Sequence, residues 1–117
     1  VYYSDDDIKC LSEGEVIIHN YLLKLPIDNI TKETYYKDIL EDRKLKQLAG
    51  RKRLDWTFIY NNKTYYVELF GMIGVKKYRN VVREKFQLME QDNKLDYFIP
   101  IYPRDLAKLN KIFSFIK

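Results

Sequence analysis

The sequence predicts an α/β layered domain around a mixed sheet, and three observations carry that prediction. Arg53–Gly71, RLDWTFIYNNKTYYVELFG, reads as a β-hairpin: two runs rich in β-branched and aromatic residues, broken by Asn61-Asn62. Amphipathic helical stretches flank it, from Ser12 to about Leu25 before it and from about Val75 to Asp92 after it. A further strand, DYFIPIY from Asp96 to Tyr102, precedes a last helix from Arg104 to about Ile116. Helices at both ends and after the hairpin place the sheet between helical layers.

A chain of 117 residues, 46 % of them apolar, fits one domain with one core. No apolar run is long enough to span a bilayer and no signal-peptide pattern opens the chain, so a membrane partner is not expected. The single Cys10 excludes an internal disulfide and a Cys-based zinc site, and is compatible with an intracellular, cytoplasmic location. The chain begins with Val1 rather than Met, which leaves fusion to, or assembly with, other domains open. A net charge of +4 permits a polyanionic partner without demanding one. The basic residues cluster at Arg43, Lys44, Lys46 and Arg51–Arg53 before the hairpin, and at Lys76, Lys77, Arg79, Arg83 and Lys85 after it. Solvated helix faces are the usual fate of such residues.

Taken in order, residues 1–10 are polar and read as a mobile lead-in or a short helical start, so the domain proper is expected over 11–117. Ser12 is a good N-cap with Glu15 at the capping-box spacing; Val16, Ile17, Tyr21 and Leu22 supply an apolar face, and Pro26 ends the run. Lys32–Tyr36 reads as a short strand. Asp38 to about Leu48 has helical composition, closed by Ala49-Gly50, with a mobile loop as the competing reading. In the helix after the hairpin, the apolar positions are Val75, Tyr78, Val81, Val82, Phe86, Leu88 and Met89. Lys85 lies inside that stripe, where lysine is unusual. It snorkels to solvent, pairs with a buried acid, or serves a site. Pro100 suits a late or edge strand. Leu106, Leu109, Ile112, Phe113 and Ile116 give the last helix one apolar face.

An Asn61-Asn62 turn sets the hairpin register: Tyr60 faces Lys63, Phe58 faces Tyr65, Trp56 faces Val67 and Asp55 faces Glu68. Trp56, Phe58, Tyr65, Val67 and Leu69 then share an apolar side, and Asp55 and Glu68 share the other. Two carboxylates directly opposite on one face repel. Either a cation, a divalent metal above all, neutralises them, or the turn is longer, the register slips and one acid points to solvent. Glu15 has two readings, helix capping and acidic ligand. His19, one turn later on the same face, is a satisfied core or surface residue or a ligand.

Ser12-Glu13-Gly14-Glu15, Arg53-Leu54-Asp55-Trp56 and Val67-Glu68-Leu69-Phe70-Gly71, in that order, resemble the PD-(D/E)XK nuclease superfamily, in particular its very-short-patch-repair-like branch. The resemblance runs from about Leu11 to the C-terminus through short, degenerate motifs. It implies a restriction-endonuclease-like sheet and a metal-dependent endonuclease that hydrolyses DNA phosphodiester bonds. It implies Asp55, Glu68 and Glu15 as ligands of Mg²⁺ or Mn²⁺. One departure is plain: the superfamily lysine two residues after the Glu is Phe70 here. Lys85 then stands as that lysine moved to the following helix, a placing that resembles viral cap-snatching endonucleases, with Arg53 as its rival. Arg51, Lys52, Arg53, Lys76, Lys77 and Arg79 are the expected phosphate contacts. Tyr78, with Tyr35, Tyr36, Tyr60, Tyr65 and Tyr66, can stack on unpaired bases. Two other functions remain open: a nucleic-acid-binding module that kept the fold and lost catalysis, favoured by Phe70, and an RNA endonuclease, favoured by Lys85 and by His19 beside Glu15.

Overall fold

Asn61 and Asn62 both adopt positive φ, 51° and 62°, as the central residues of a type I′ turn must, and the hairpin they close is the middle of the sheet. The computed structural model describes residues 1–117. In chain order the elements are β1 (Tyr2–Tyr3), β2 (Lys9–Cys10), α1 (Glu13–Leu23), β3 (Asp28–Tyr35), α2 (Tyr36–Ile39), α3 (Arg43–Ala49), β4 (Arg53–Tyr60), β5 (Lys63–Leu69), α4 (Lys76–Gln91), β6 (Phe98–Ile101) and α5 (Leu109–Ile112). A four-stranded sheet runs β3-β4-β5-β6. The first two pairings are antiparallel and β5–β6 is parallel, so the sheet is mixed and flanked by helices, as expected. The register is the expected one: Tyr60 opposite Lys63, Phe58 opposite Tyr65, Trp56 opposite Val67. Pro100 lies in β6, an edge strand, where a missing N–H is tolerated.

Two apolar clusters hold the layers. Ile18 and Leu22 of α1 pack with Trp56, Phe58, Val67 and Ile101 of the sheet and with Leu109, Phe113 and Ile116. The other cluster joins Tyr36, Leu40, Leu45 and Ala49 to Tyr66, Phe70 and Phe98, and to Val82, Leu88 and Met89 of α4. Leu54, Trp56 and Phe58 are buried in strict alternation along β4, with Leu54 joining the second cluster. No helix is long and apolar enough to cross a membrane.

Several elements differ from expectation. Residues 1–10 form a small hairpin, β1 against β2, tied to α1 where the Asp5 N–H donates to Asn20 Oδ1 at 2.7 Å. The buried row of α1 is Glu15, Ile18, His19 and Leu22, at i, i+3, i+4 and i+7, whereas Ile17 is exposed. The strand expected from Lys32 begins four residues earlier, at Asp28. The helix expected over Asp38–Leu48 is split. Asp42 caps α3 by accepting the Leu45 N–H at 3.0 Å, and Asp92 accepts the Glu41 and Asp42 N–H groups at 3.0 and 3.1 Å, which holds the break open. Leu95–Tyr97 is a 3₁₀ turn leading into β6 rather than strand. The final helix is a 3₁₀ segment, Pro103–Lys108, followed by α5.

Candidate active site

The β4–β5 ladder has its last pair at Trp56 and Val67, and side chains continue it. The Asp55 N–H donates to Glu68 Oε1 at 3.0 Å, and the Leu69 N–H donates to Asp55 Oδ2 at 2.8 Å. Each acid thus satisfies a backbone donor at the point where the strands part, and this keeps both carboxylates together. Glu68 is buried, its side chain 2 % exposed, and Asp55 is half-buried.

Glu68 Oε2 receives two further groups. The Tyr36 hydroxyl, wholly buried on α2, donates to it at 3.1 Å, and the Lys85 ammonium stands 2.5 Å away. Lys85 follows Val82 and precedes Met89 on the inward row of α4, so its stem runs through apolar surroundings. Its side chain is 13 % exposed, and the ammonium also donates to the Arg53 carbonyl at 2.8 Å. The ring centroids of Tyr36 and Phe70 lie 5.4 and 5.9 Å from it. Phe70 itself is core, packed against Tyr78, Phe86, Phe98 and Tyr102. Arg53 turns the other way: its guanidinium lies over Tyr35 and 3.9 Å from Glu33.

The electrostatics follow from burial. Desolvation, then the Asp55 charge, pushes the Glu68 carboxyl up to about 7, while Lys85 and the Tyr36 hydroxyl pull the other way. Asp55 is raised too, first by burial; Glu15 adds to the rise, and Lys85 and Lys32 oppose it. Desolvation and Glu68 raise Tyr36 well above the usual phenol range. Tyr78, whose hydroxyl lies 3.4 Å from the Leu69 carbonyl, is pushed up to about 12 by burial first and then by Glu68 and Asp55.

Glu15 is brought towards this site and held by a different partner. Gly14 lets α1 approach β5 closely: a Cβ there would stand 2.9 Å from Leu69 Cδ2. The Ser12 hydroxyl caps the Glu15 N–H at 3.2 Å, while the Glu15 carboxylate accepts from the Lys32 ammonium at 2.8 Å and from the Leu11 N–H at 3.4 Å. Lys32 also lies over the Trp56 ring, 4.6 Å from its centroid. No three His, Cys, Asp or Glu side chains stand close enough together to hold one ion. The acids brought together are therefore Asp55 and Glu68, with Lys85 beside them, and Glu15 is engaged by Lys32.

His19 is also committed. The Trp56 indole N–H, a donor only, reaches His19 Nδ1 at 3.1 Å, so the proton is assigned to Nε2, which meets the Asp6 carboxylate at 3.2 Å. Both ring nitrogens are in use, which is the core reading of His19. Among the expected phosphate contacts, Arg51, Lys76 and Lys77 are exposed. Lys52 pairs with Glu84 at 2.8 Å, and Arg79 caps the loop before α4 through the Ile73 and Gly74 carbonyls. None of the surface grooves is lined by Asp55 or Glu68; the one between α3 and α4 is lined by Leu48, Lys52, Glu84, Gln87, Leu88 and Gln91.

Sequence reasoning missed Lys32 and misjudged Tyr36. The signal for Lys32 was the inward row Ile30, Lys32, Thr34 of β3, a cation where alternation calls for a covered side chain. Tyr36 was expected as a stacking surface and is instead a buried donor to Glu68. No protein-family model, curated protein or solved structure matches this chain.

Proposed function

We propose that the chain is a metal-dependent endonuclease acting on DNA, with Asp55 and Glu68 as the metal-holding pair and Lys85 as the catalytic cation. The observation that carries this reading is the convergence of a buried and a half-buried acid from one hairpin with a lysine from the next helix, at 2.5 Å from Glu68. Hard oxygen donors of this kind fit Mg²⁺ or Mn²⁺, which proteins commonly hold with one or two carboxylates plus water and substrate phosphate. Asp55 uses Oδ2 for the Leu69 N–H, which leaves Oδ1 for a ligand. When bound, such an ion activates water and stabilises charge on a phosphate attacked in line.

The residues of the chain supply the rest. Glu68 and the Arg53 carbonyl hold the Lys85 ammonium in one position, so the charge that faces a scissile phosphate needs no reorganisation. Phe70, at the position of the superfamily lysine, instead offers an aromatic face to that ammonium. Exposed Arg51, Lys76 and Lys77 give backbone contacts that carry affinity without sequence information.

The test is a thermal melt with Mg²⁺ or Mn²⁺, paired with cleavage assays on DNA and RNA. A metal should raise the midpoint of the wild type by mass action, and Asp55→Asn with Glu68→Gln should abolish both that rise and cleavage. A wild type that binds DNA without responding to metal is a binding module; cleavage of RNA alone makes it a ribonuclease.

A further inference from the structure

One tyrosine beside the candidate site is left open. Of those expected to stack on bases, Tyr36 and Tyr66 are buried, Tyr78 is half-buried with its hydroxyl near the Leu69 carbonyl, and Tyr60 and Tyr65 pack against Phe115. Tyr35 alone is exposed, at 39 %, and it ends β3, an edge strand with no neighbour on its outer side. Two cations lie over its ring, the Lys37 ammonium 5.4 Å and the Arg53 guanidinium 5.9 Å from the centroid. Arg53 also stands 3.9 Å from Glu33, but the two side chains are 58 % and 41 % exposed, so that pair holds the guanidinium weakly. The Lys46 ammonium donates to the Lys37 carbonyl at 2.7 Å, which brings a third cation to this edge. The cluster adjoins the acids through neighbouring groups: the Arg53 carbonyl accepts from Lys85, and Tyr36, next to Tyr35, donates to Glu68. Residues 37–53 contain seven Lys or Arg and three Asp or Glu, a net charge equal to the +4 of the whole chain, whereas residues 1–36 contain three and seven.

We propose that Tyr35, Arg53 and Lys37 form a platform for a single-stranded stretch of DNA beside the candidate active site, with an unpaired base on the Tyr35 ring and the flanking phosphates on Arg53 and Lys37. This rests on the DNA partner of the reading above and deepens it, by naming the state of the strand and the edge it crosses. The ring decides between polyanions. The carboxylates of an acidic peptide would take the cations and leave the ring idle, and in a duplex each base face is already covered by its neighbours. An unpaired base has a free face for an aromatic side chain. It replaces the Lys37 ammonium over the ring, and both cations turn to phosphate oxygens, which arginine meets with paired, charge-assisted bonds. The other lysine–tyrosine pair of the hairpin has a different setting: Lys63 lies 5.5 Å from the Tyr97 ring centroid, at the turn end, in a groove shared with Glu41.

The experiment is fluorescence anisotropy of labelled oligothymidylate, and of duplex DNA of the same length, in a chelating buffer where metal-dependent cleavage cannot intervene. The wild type should bind the single strand more tightly than the duplex. Tyr35→Leu should weaken single-strand binding at least about fivefold, and Tyr35→Phe, which keeps the ring, should restore it. Arg53→Gln should weaken binding and reduce the slope of log affinity against log salt by about 0.7, one phosphate contact on a single strand. Lys63→Gln removes the same charge at the turn end and should change neither affinity nor slope. Equal or tighter binding of the duplex, wild-type affinity in Tyr35→Leu, or a Lys63→Gln loss as large as that of Arg53→Gln would each overturn the inference, as would no binding of either DNA. The substituted side chains are exposed, so the variants should fold; the Arg53→Gln slope decides the matter if Tyr35→Leu does not. A wild type that responds to Mn²⁺ but fails these tests keeps the metal site and loses the platform. One that passes them without a metal response keeps the platform and loses the nuclease reading.

Discussion

A lysine held 2.5 Å from a carboxylate that is 2 % exposed is structural and chemical at once, and Lys85→Met separates the two. The methionine keeps most of the apolar stem among Val82 and Met89, and Glu68, already raised to about 7, can take a proton in place of its lost partner. The variant should therefore fold and bind DNA. Single-turnover cleavage should slow at least about a hundredfold, a typical cost of removing one group that stabilises developing charge. Near-normal cleavage would return Lys85 to a packing role. Lys85 was legible in the sequence because its helical neighbours are apolar, so a cation among them stands out. Lys32 was not, because its partner Glu15 lies 17 residues away on another element and only the folded sheet brings them together. Buried polar residues were the recurrent difficulty: Glu15 and His19 lie inward because each is paired, whereas an apolar pattern ranks them outward.

At the scale of the element, the hairpin was legible from its turn to the Trp56–Val67 pair, since one turn and strict alternation fix those pairings at once. The turn carries its own prediction. Asn62 at φ 62° tolerates the left-handed region, so Asn62→Ala should cost about 1 kcal/mol in urea unfolding. Asn62→Gly should cost nothing or stabilise, and an alanine variant as stable as the glycine one would show that the turn is not under this constraint. The helices were less legible where capping residues compete inside a helical stretch. Asp42 starts a new helix in the middle of the expected one, aided by Asp92, which lies 50 residues away and cannot be foreseen from local pattern. The parting of β4 and β5 beyond the Trp56–Val67 pair, at Asp55 and Glu68, was hidden, because the donors that these acids satisfy are backbone groups that look alike in any sequence.

For the molecule as a whole, the raised carboxyls set a pH dependence with a definite sign. Between about 4.5 and about 7 the folded chain keeps the Glu68 proton that the unfolded chain has lost, and Asp55 is shifted in the same direction. The unfolded state then binds fewer protons, so stability without metal should fall as pH rises through that window, by at most roughly 3 kcal/mol from Glu68. Asp6 and Asp92, shifted downward from 3.8, act below the window. Thermal midpoints in a chelating buffer should show this decline, and Glu68→Gln should flatten it; a wild-type midpoint that climbs across the window would refute it. The stabilisation by Mn²⁺ should grow over the same range, because the ion competes with those protons. Trp56 offers a direct way to follow these events. It is the sole tryptophan, its indole bonded to His19 and capped by the Lys32 amine, and Asp55 precedes it in β4. Its ultraviolet emission is therefore an intrinsic optical probe of the site, sensitive to any shift of the charge above its ring. A stopped-flow trace of unlabelled protein mixed with Mn²⁺ or DNA should time the arrival of either at the hairpin's end.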